Sequence, residues 1–200
     1  MNVFVAMQWE GYSSASQTIS ELSAIGAPTR PLWVSLGIAY TLLVTAFGWG
    51  VWGATRRNRP LRVVGGLMML YGVSGFGWPF APMHQRAVLA AGGGTLSDTM
   101  HLVFGAVTSL LMLVAMGLGA AAFGKRFRLY SIATMVILIV FSALTGVDGP
   151  RVAANLPTPW VGVWERIFIG VFLLWVVVLA VAVLRVRAQP LSSSAIGTTG

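Results

Sequence analysis

The sequence predicts an all-α integral membrane protein, a bundle of five spanning helices. Only 9% of the 200 residues are charged and 56% are hydrophobic, whereas a soluble domain carries about 25% charged residues. Five apolar runs are each long enough for the ~20-residue helix that crosses a bilayer. The runs are continuous rather than alternating, which disfavours membrane-spanning strands. We therefore expect the lipid bilayer to surround most of the chain.

The apolar runs place the spans in a bundle domain at 32–187. Arg62 stands at the start of the second span, where its long side chain can reach the lipid headgroups. The predicted spans are 32–53, 61–80, 99–124, 129–147 and 159–184.

Glycines are frequent in the second and third spans. Because small residues let membrane helices approach closely, we expect these glycines to serve helix packing. A broken, transporter-like helix at 72–79 is the alternative. The glycines concerned are Gly65, Gly66, Gly72, Gly75, Gly77, Gly105, Gly117 and Gly119.

Two segments of different composition flank the bundle. Residues 1–31 are mostly polar and small, and Ile19, Leu22 and Ile25 recur every three residues. This spacing predicts a short helix lying on the membrane interface, ended by the prolines that precede the first span. Residues 188–200 are rich in Ser, Gly and Thr, which predicts a disordered cytoplasmic tail.

The basic residues orient the predicted bundle. Cytoplasmic gaps between spans carry an excess of Lys and Arg. Here one set of alternate gaps holds nine of these basic residues and the other set holds four. The C-terminus is therefore expected inside a multi-pass protein of the cell inner (plasma) membrane. The nine are Arg56, Arg57, Arg59, Arg62, Lys125, Arg126, Arg128, Arg185 and Arg187, and the four are Arg30, Arg86, Arg151 and Arg166. The expected anchors at the outer interface are Trp33, Trp78, Trp160 and Trp164.

Composition and motifs exclude several classes of function. The chain has no cysteine, so disulfides, thiolate nucleophiles, iron–sulfur clusters and Cys-ligated zinc are excluded. The net charge of +8 sits in short clusters beside apolar runs, so nucleic acid is not an expected partner. No Walker, Rossmann, HExxH or GxSxG motif occurs, and no cofactor-binding site is predicted.

The acids and histidines all fall on the predicted outer side. Asp98 and His101 share one helix face, and either Asp98 or Ser97 suits the N-cap of the third span. Glu165 and Arg166 lie about 9–10 Å into the fifth span, where each needs a partner. We expect Glu165 to pair with His101, and Arg166 with Asp98 or Asp148. The candidates for structural ion pairs are Arg166, Asp148 and Arg151.

Two chemical roles are open for these outer residues. A catalytic site would use His84, Asp98, His101 and Glu165. A divalent metal would need three or four ligands, as catalytic zinc does, from Glu21, His84, Asp98, His101 and Glu165. Ceramidase-like membrane hydrolases use three histidines as metal ligands, and this chain has two, which disfavours a site of that kind. Both histidines stand at helix ends rather than facing each other within the bundle, which disfavours haem ligation. No cofactor is firmly implied.

Four segments resemble the domain-of-unknown-function 998 family of bacterial and archaeal membrane proteins. They are GYSSASQTISELSAIGAP at 11–28, WPFAPMHQR at 78–86, SDTMHLVFG at 97–105 and PWVGVWERI at 159–167. The resemblance implies a bundle of about six spans and no established activity. It places a further span before the first segment, where this sequence has eleven residues before Tyr12. We expect the missing span to be encoded in frame upstream of Met1; the alternative is a true count of five.

Two functions from different classes remain. The first is a non-catalytic membrane protein, an envelope accessory protein or a small-molecule permease, whose outer polar residues form structural pairs. The second is a membrane-embedded hydrolase or lipid-modifying enzyme, metal-dependent if the outer residues bind a metal. The sequence leaves open whether the protein is an enzyme and which proteins it contacts.

The nine-to-four division of basic residues makes a testable prediction about orientation. A reporter enzyme that is active only outside the cytoplasm should be inactive when fused after Arg187, because that end lies inside. Activity of the same fusion would show that the bundle is inverted.

Overall fold

The computed structural model describes residues 1–54 and 58–188, which form seven α-helices and two 3₁₀ helices. Arg56, Arg57 and residues 189–200 of the predicted tail lie outside the described residues. In chain order the elements are α1 Asn2–Ala6, a 3₁₀ helix Ile19–Ser23, α2 Arg30–Ala54, α3 Arg59–Ser74, a 3₁₀ helix Gly75–Phe80, α4 Arg86–Ala90, α5 Leu96–Ala120, α6 Lys125–Ala153 and α7 Val161–Ala188.

The predicted all-α fold with five spans is confirmed in the described part of the chain. Five helices there are long and apolar enough to cross a membrane. Leu43, Leu110 and Val177 expose 70, 60 and 58% of their surface. Exposed apolar surface of this kind is unfavourable in water by ~25 cal/mol per Å². The chain is therefore a multi-pass integral membrane protein. The five are Arg30–Ala54, Arg59–Phe80, Leu96–Ala120, Lys125–Ala153 and Val161–Val186.

The two ends of the bundle differ. At one end, residues 12–29, 81–95 and 154–160 lie over the helices, and we call them the polar cap. Toward the far end, Met68, Met116, Leu138 and Trp175 are almost fully buried in a core shared by α3, α5, α6 and α7. The Trp175 indole N–H donates to the Ser131 hydroxyl at 2.9 Å, so the polar atom of this large side chain is satisfied.

Helices α2 and α3 touch through their backbones, as the glycines predicted. A Cβ on Gly65 would stand 2.8 Å from Trp52 Cα, and one on Gly48 would stand 2.8 Å from the Gly65 carbonyl oxygen. A Cβ on Gly72 would be 2.8 Å from Thr45 N. Close packing is confirmed at the predicted positions Gly65 and Gly72, whereas Gly66 and Gly105 face open space. The second span also tightens into the 3₁₀ helix at Gly75, so it is not a regular α-helix near the polar cap.

The neighbouring glycines Gly65 and Gly66 give a matched stability test. Gly65→Ala should destabilise the bundle by about 1–3 kcal/mol, because its new methyl group would push apart two helix backbones. Gly66→Ala should leave stability unchanged or raise it, since Ala is the better helix former. Thermal unfolding in one detergent measures both, and equal melting temperatures for the two variants would contradict the close approach.

Candidate functional site

The polar cap begins with a capping box that the spacing Thr-x-x-Glu encodes. Thr18 N–H donates to the Glu21 carboxylate at 2.7 Å, and Glu21 N–H donates to the Thr18 hydroxyl at 3.3 Å. The pair starts the 3₁₀ helix Ile19–Ser23. The helix predicted to lie on the membrane interface is therefore short, and its Ile19 and Leu22 are buried within the protein. Ile25 lies beyond its end and is exposed.

One guanidinium joins the three segments of the polar cap. Arg86 donates to both carboxylate oxygens of Glu21, at 2.7 and 2.8 Å. The terminal nitrogen that bonds Glu21 also donates to the Ser16 carbonyl oxygen at 2.9 Å, and the other terminal nitrogen donates to the Thr158 hydroxyl at 2.8 Å. The Arg86 and Glu21 side chains are only 13 and 4% exposed. The pair thus fixes the loops 81–95 and 154–160 to the N-terminal segment.

Arg166 binds the N-terminal segment without an acidic partner. Its guanidinium donates to the Ser14 carbonyl oxygen at 2.8 Å and to the Tyr12 hydroxyl at 2.8 Å. The Tyr12 hydroxyl in turn donates to the Thr18 carbonyl oxygen at 2.7 Å, and burial raises the pKa of Tyr12 to about 12. The expected pairing of Arg166 with Asp98 or Asp148 is therefore wrong.

The two aspartates have other partners. Asp98 accepts from His84 N–H at 2.7 Å and contacts His84 Nδ1 at 2.9 Å. It also closes a capping box with Thr95, which is the N-cap of α5 in place of Ser97 or Asp98. Asp148 lies on the last turns of α6 rather than in a loop, 3.8 Å from Arg151, as an ion pair of the expected kind.

His101 is buried beneath the polar cap. Its Nδ1 lies 2.9 Å from the Ala81 carbonyl oxygen. A carbonyl oxygen can only accept, so Nδ1 carries the hydrogen and Nε2 of the neutral ring is an acceptor. The described residues give Nε2 no hydrogen-bond partner. The ring also meets Trp78 edge-on, with 4.9 Å between the ring centroids.

Glu165 is buried where α7 meets the N-terminal segment. Its carboxylate accepts from the Ile19 backbone N–H and from the Ser20 hydroxyl, the latter at 3.4 Å. The expected partner His101 is not bonded to it. In the described part of the chain, ion pairs join Arg86 to Glu21 and Arg151 to Asp148, and His84 forms one with Asp98 when its ring is protonated. Glu165 thus has hydrogen-bond donors but no cationic side chain in contact.

A cavity of about 550 Å³ lies below the polar cap, in the midst of the five spans. Glu165 and His101 both line it. Arg30 lines its rim and donates to the Ser23 and Pro79 carbonyl oxygens at 2.6 and 3.1 Å. The sequence signal for this cavity is the set of hydroxyl groups within the apolar spans, among them those of Tyr40 and Tyr71, whose oxygens are 3.1 Å apart. The other spanning residues with hydroxyl groups that line the cavity are Thr41, Thr108, Ser109, Ser142 and Thr145.

The predicted site residues therefore occupy several places. Glu165 and His101 share the cavity, whereas His84 and Asp98 form a pair that does not line it. Glu21 belongs to the Arg86 pair. Within the described residues, no three histidines or acids are arranged to hold a metal ion. The expectations of a catalytic role and of a divalent metal stay predictions.

A family model matches most of the chain. The model of a family described as "Protein of unknown function (DUF998)" matches residues 2–182. Searches of curated proteins and of solved structures found no match.

The buried Arg86–Glu21 pair should be a main source of stability in the polar cap. Replacing Glu21 with Gln should destabilise the protein by about 3–5 kcal/mol, because it leaves the Arg86 charge buried without its counterion. Glu10→Gln is the matched control, since Glu10 is exposed. Thermal unfolding in detergent compares the two, and equal melting temperatures would show that the pair contributes nothing.

Proposed function

Because the chain belongs to the DUF998 family, whose description names no activity, we propose its function from the geometry of the cavity. The protein binds an amphipathic small molecule inside the membrane, as a component of a permease does, and does not transform it. The space of about 550 Å³ under the polar cap, lined by both polar and apolar side chains, is the observation that carries this proposal.

The size and lining of the cavity support a binding site. Ligand pockets are typically about 300–1,000 Å³, mostly apolar, with a few placed polar groups, and this cavity measures about 550 Å³. Its polar groups Glu165 and His101 contact the N-terminal segment and the Ala81 carbonyl oxygen. Met112, Ile169 and Leu173 line it with apolar atoms. A molecule with one polar head and an apolar body matches this division.

The route into the cavity is through the side of the bundle. Ile38, Leu102 and Leu173 line the cavity, yet they expose 42, 72 and 38% of their surface toward the space that lipid fills. From above, the polar cap covers the helices with the buried side chains of Ile19 and Leu22. An amphipathic molecule dissolved in the bilayer therefore has a shorter path into the cavity than a molecule that arrives through the polar cap.

Hydrolysis at the polar cap is a second candidate, favoured by the His84–Asp98 pair. A carboxylate that holds one imidazole nitrogen leaves the other available for proton transfer, as in catalytic triads. His84 Nδ1 is bound in this way at 2.9 Å. The candidate is weaker because His101 and Glu165, its other expected members, belong to the cavity.

Filling the cavity should abolish binding. A Cβ on Gly105 would meet open space, and Gly105 lines the cavity, so Gly105→Phe fills it without a clash at Cβ. The matched control is Gly50→Phe, because Gly50 is exposed, also faces open space, and is not a lining residue. The probe is a photoreactive long-chain alcohol carrying a diazirine, applied to protein in lipid nanodiscs, with the labelled residues identified by mass spectrometry.

We expect saturable labelling of cavity residues in the native protein and in Gly50→Phe, reduced at least about tenfold in Gly105→Phe. Labelling that is confined to lipid-facing residues and equal in all three proteins would contradict the proposal. Conversion of an ester or amide lipid that is lost in His84→Gln and kept in Gly105→Phe would establish the second candidate instead.

A further inference from the structure

We propose that the head of the bound molecule is a protonated primary or secondary amine, held by Glu165 and the Nε2 atom of His101. This inference rests on the proposed function and names the class of molecule that the cavity takes: an alkylammonium amphiphile with N–H groups to donate.

The hydrogen-bonding capacity left over at Glu165 and His101, which both line the cavity, is acceptor capacity. An ionised carboxylate offers about four lone-pair positions, and the Ile19 N–H and the Ser20 hydroxyl each occupy one position on Glu165. His101 Nε2 is an acceptor because Nδ1 donates to the Ala81 carbonyl oxygen. A head that donates hydrogen bonds satisfies both residues, whereas a head that only accepts satisfies neither.

The charge balance also favours a cation. Glu165 is only 8% exposed, and none of the ion pairs among the described residues includes it. A buried charge without a counterion is costly, and an ammonium head would supply the counterion. The neighbouring Arg166 forms no ion pair with Glu165: its terminal nitrogens donate to the Ser14 and Gly162 carbonyl oxygens and to Tyr12, and its Nε is buried without a hydrogen-bond partner.

Arg30 is the one cationic side chain that lines the cavity within the described residues. Its two terminal nitrogens donate to carbonyl oxygens of Ser23 and Pro79, which compensate its charge at the rim. An anionic head bound to Arg30 is the arrangement that competes with an ammonium head at Glu165, and the experiment below includes it.

Aromatic rings surround the same space. The faces of such rings carry negative potential, which attracts cations and repels anions. The ring-bearing residues that line the cavity are Trp33, Tyr40, Tyr71, Trp78 and Phe168. Trp33 and Trp78 were expected only as interfacial anchors, and their place in the lining gives them a second role. Rings alone would also suit a quaternary ammonium, but that head has no N–H for Glu165 and His101.

The test is competition against the photoreactive alcohol in nanodiscs. The competitors share a twelve-carbon tail and differ in the head: dodecylamine, dodecyltrimethylammonium, dodecanol and dodecyl phosphate. Dodecylamine should compete at a concentration about tenfold lower than dodecanol, because one additional hydrogen-bonded ion pair strengthens binding by about that factor. Its advantage should be absent in Glu165→Gln, which keeps an acceptor for the Ile19 N–H. Comparing each variant with the native protein cancels the partitioning of every competitor into lipid.

His101→Phe provides a second variant in case Glu165→Gln does not fold. It keeps a ring beside Trp78 and removes the Nε2 acceptor, so it should lose the preference for dodecylamine over dodecyltrimethylammonium. Equal competition by all four heads, or strongest competition by dodecyl phosphate, would overturn the inference and leave the proposed function standing. Retention of the amine preference in both variants would also overturn it. Failure of the native protein to be labelled in the cavity would refute the proposed function itself.

Discussion

The bidentate pair between Arg86 and Glu21 is the interaction on which the capped end of the bundle depends. Residues 7–18 have no regular secondary structure, so contacts with other elements must hold them against the helices. Arg86 supplies several of those contacts by reaching Glu21, Thr158 and the Ser16 carbonyl oxygen together. The same pair positions the turn that presents the Ile19 N–H to Glu165. Both charges are desolvated, and their shared hydrogen bonds offset that cost.

The helices of the bundle are held together by close packing in one region and by polar hydrogen bonds in another. Lipid tails are as apolar as leucine, so membrane helices associate through close packing and interhelical hydrogen bonds rather than through the hydrophobic effect. Packing dominates in the core around Trp175 and along the glycine contact of α2 with α3. Near the cap the helices leave an open space, and bonds from Arg86 and Arg166 to loop carbonyl oxygens join the elements there. This division lets a cavity exist where a tightly packed core would exclude it.

Much of the fold, and less of the site, follows from the sequence. Length and hydropathy place the spans, because a bilayer requires about 20 apolar residues whatever surrounds them. The partners of Glu165 and Arg166 did not follow, because they include backbone groups of Ile19 and Ser14, which carry no signature in the sequence. The Thr95–Asp98 capping box did have a signature, Thr-x-x-Asp, and it identifies the helix start three residues earlier than Asp98 itself suggests.

The hydrogen bond from the Thr158 hydroxyl to the Ser16 carbonyl oxygen joins residues 142 positions apart. During synthesis at about 5–20 residues per second, the first segment must therefore wait on the order of ten seconds for its last partner to leave the ribosome. The glycine contact between α2 and α3 joins neighbouring helices and can form while the chain is still growing. Assembly thus proceeds from the helix pair to the cap, and the cavity closes only after the last span has entered the membrane.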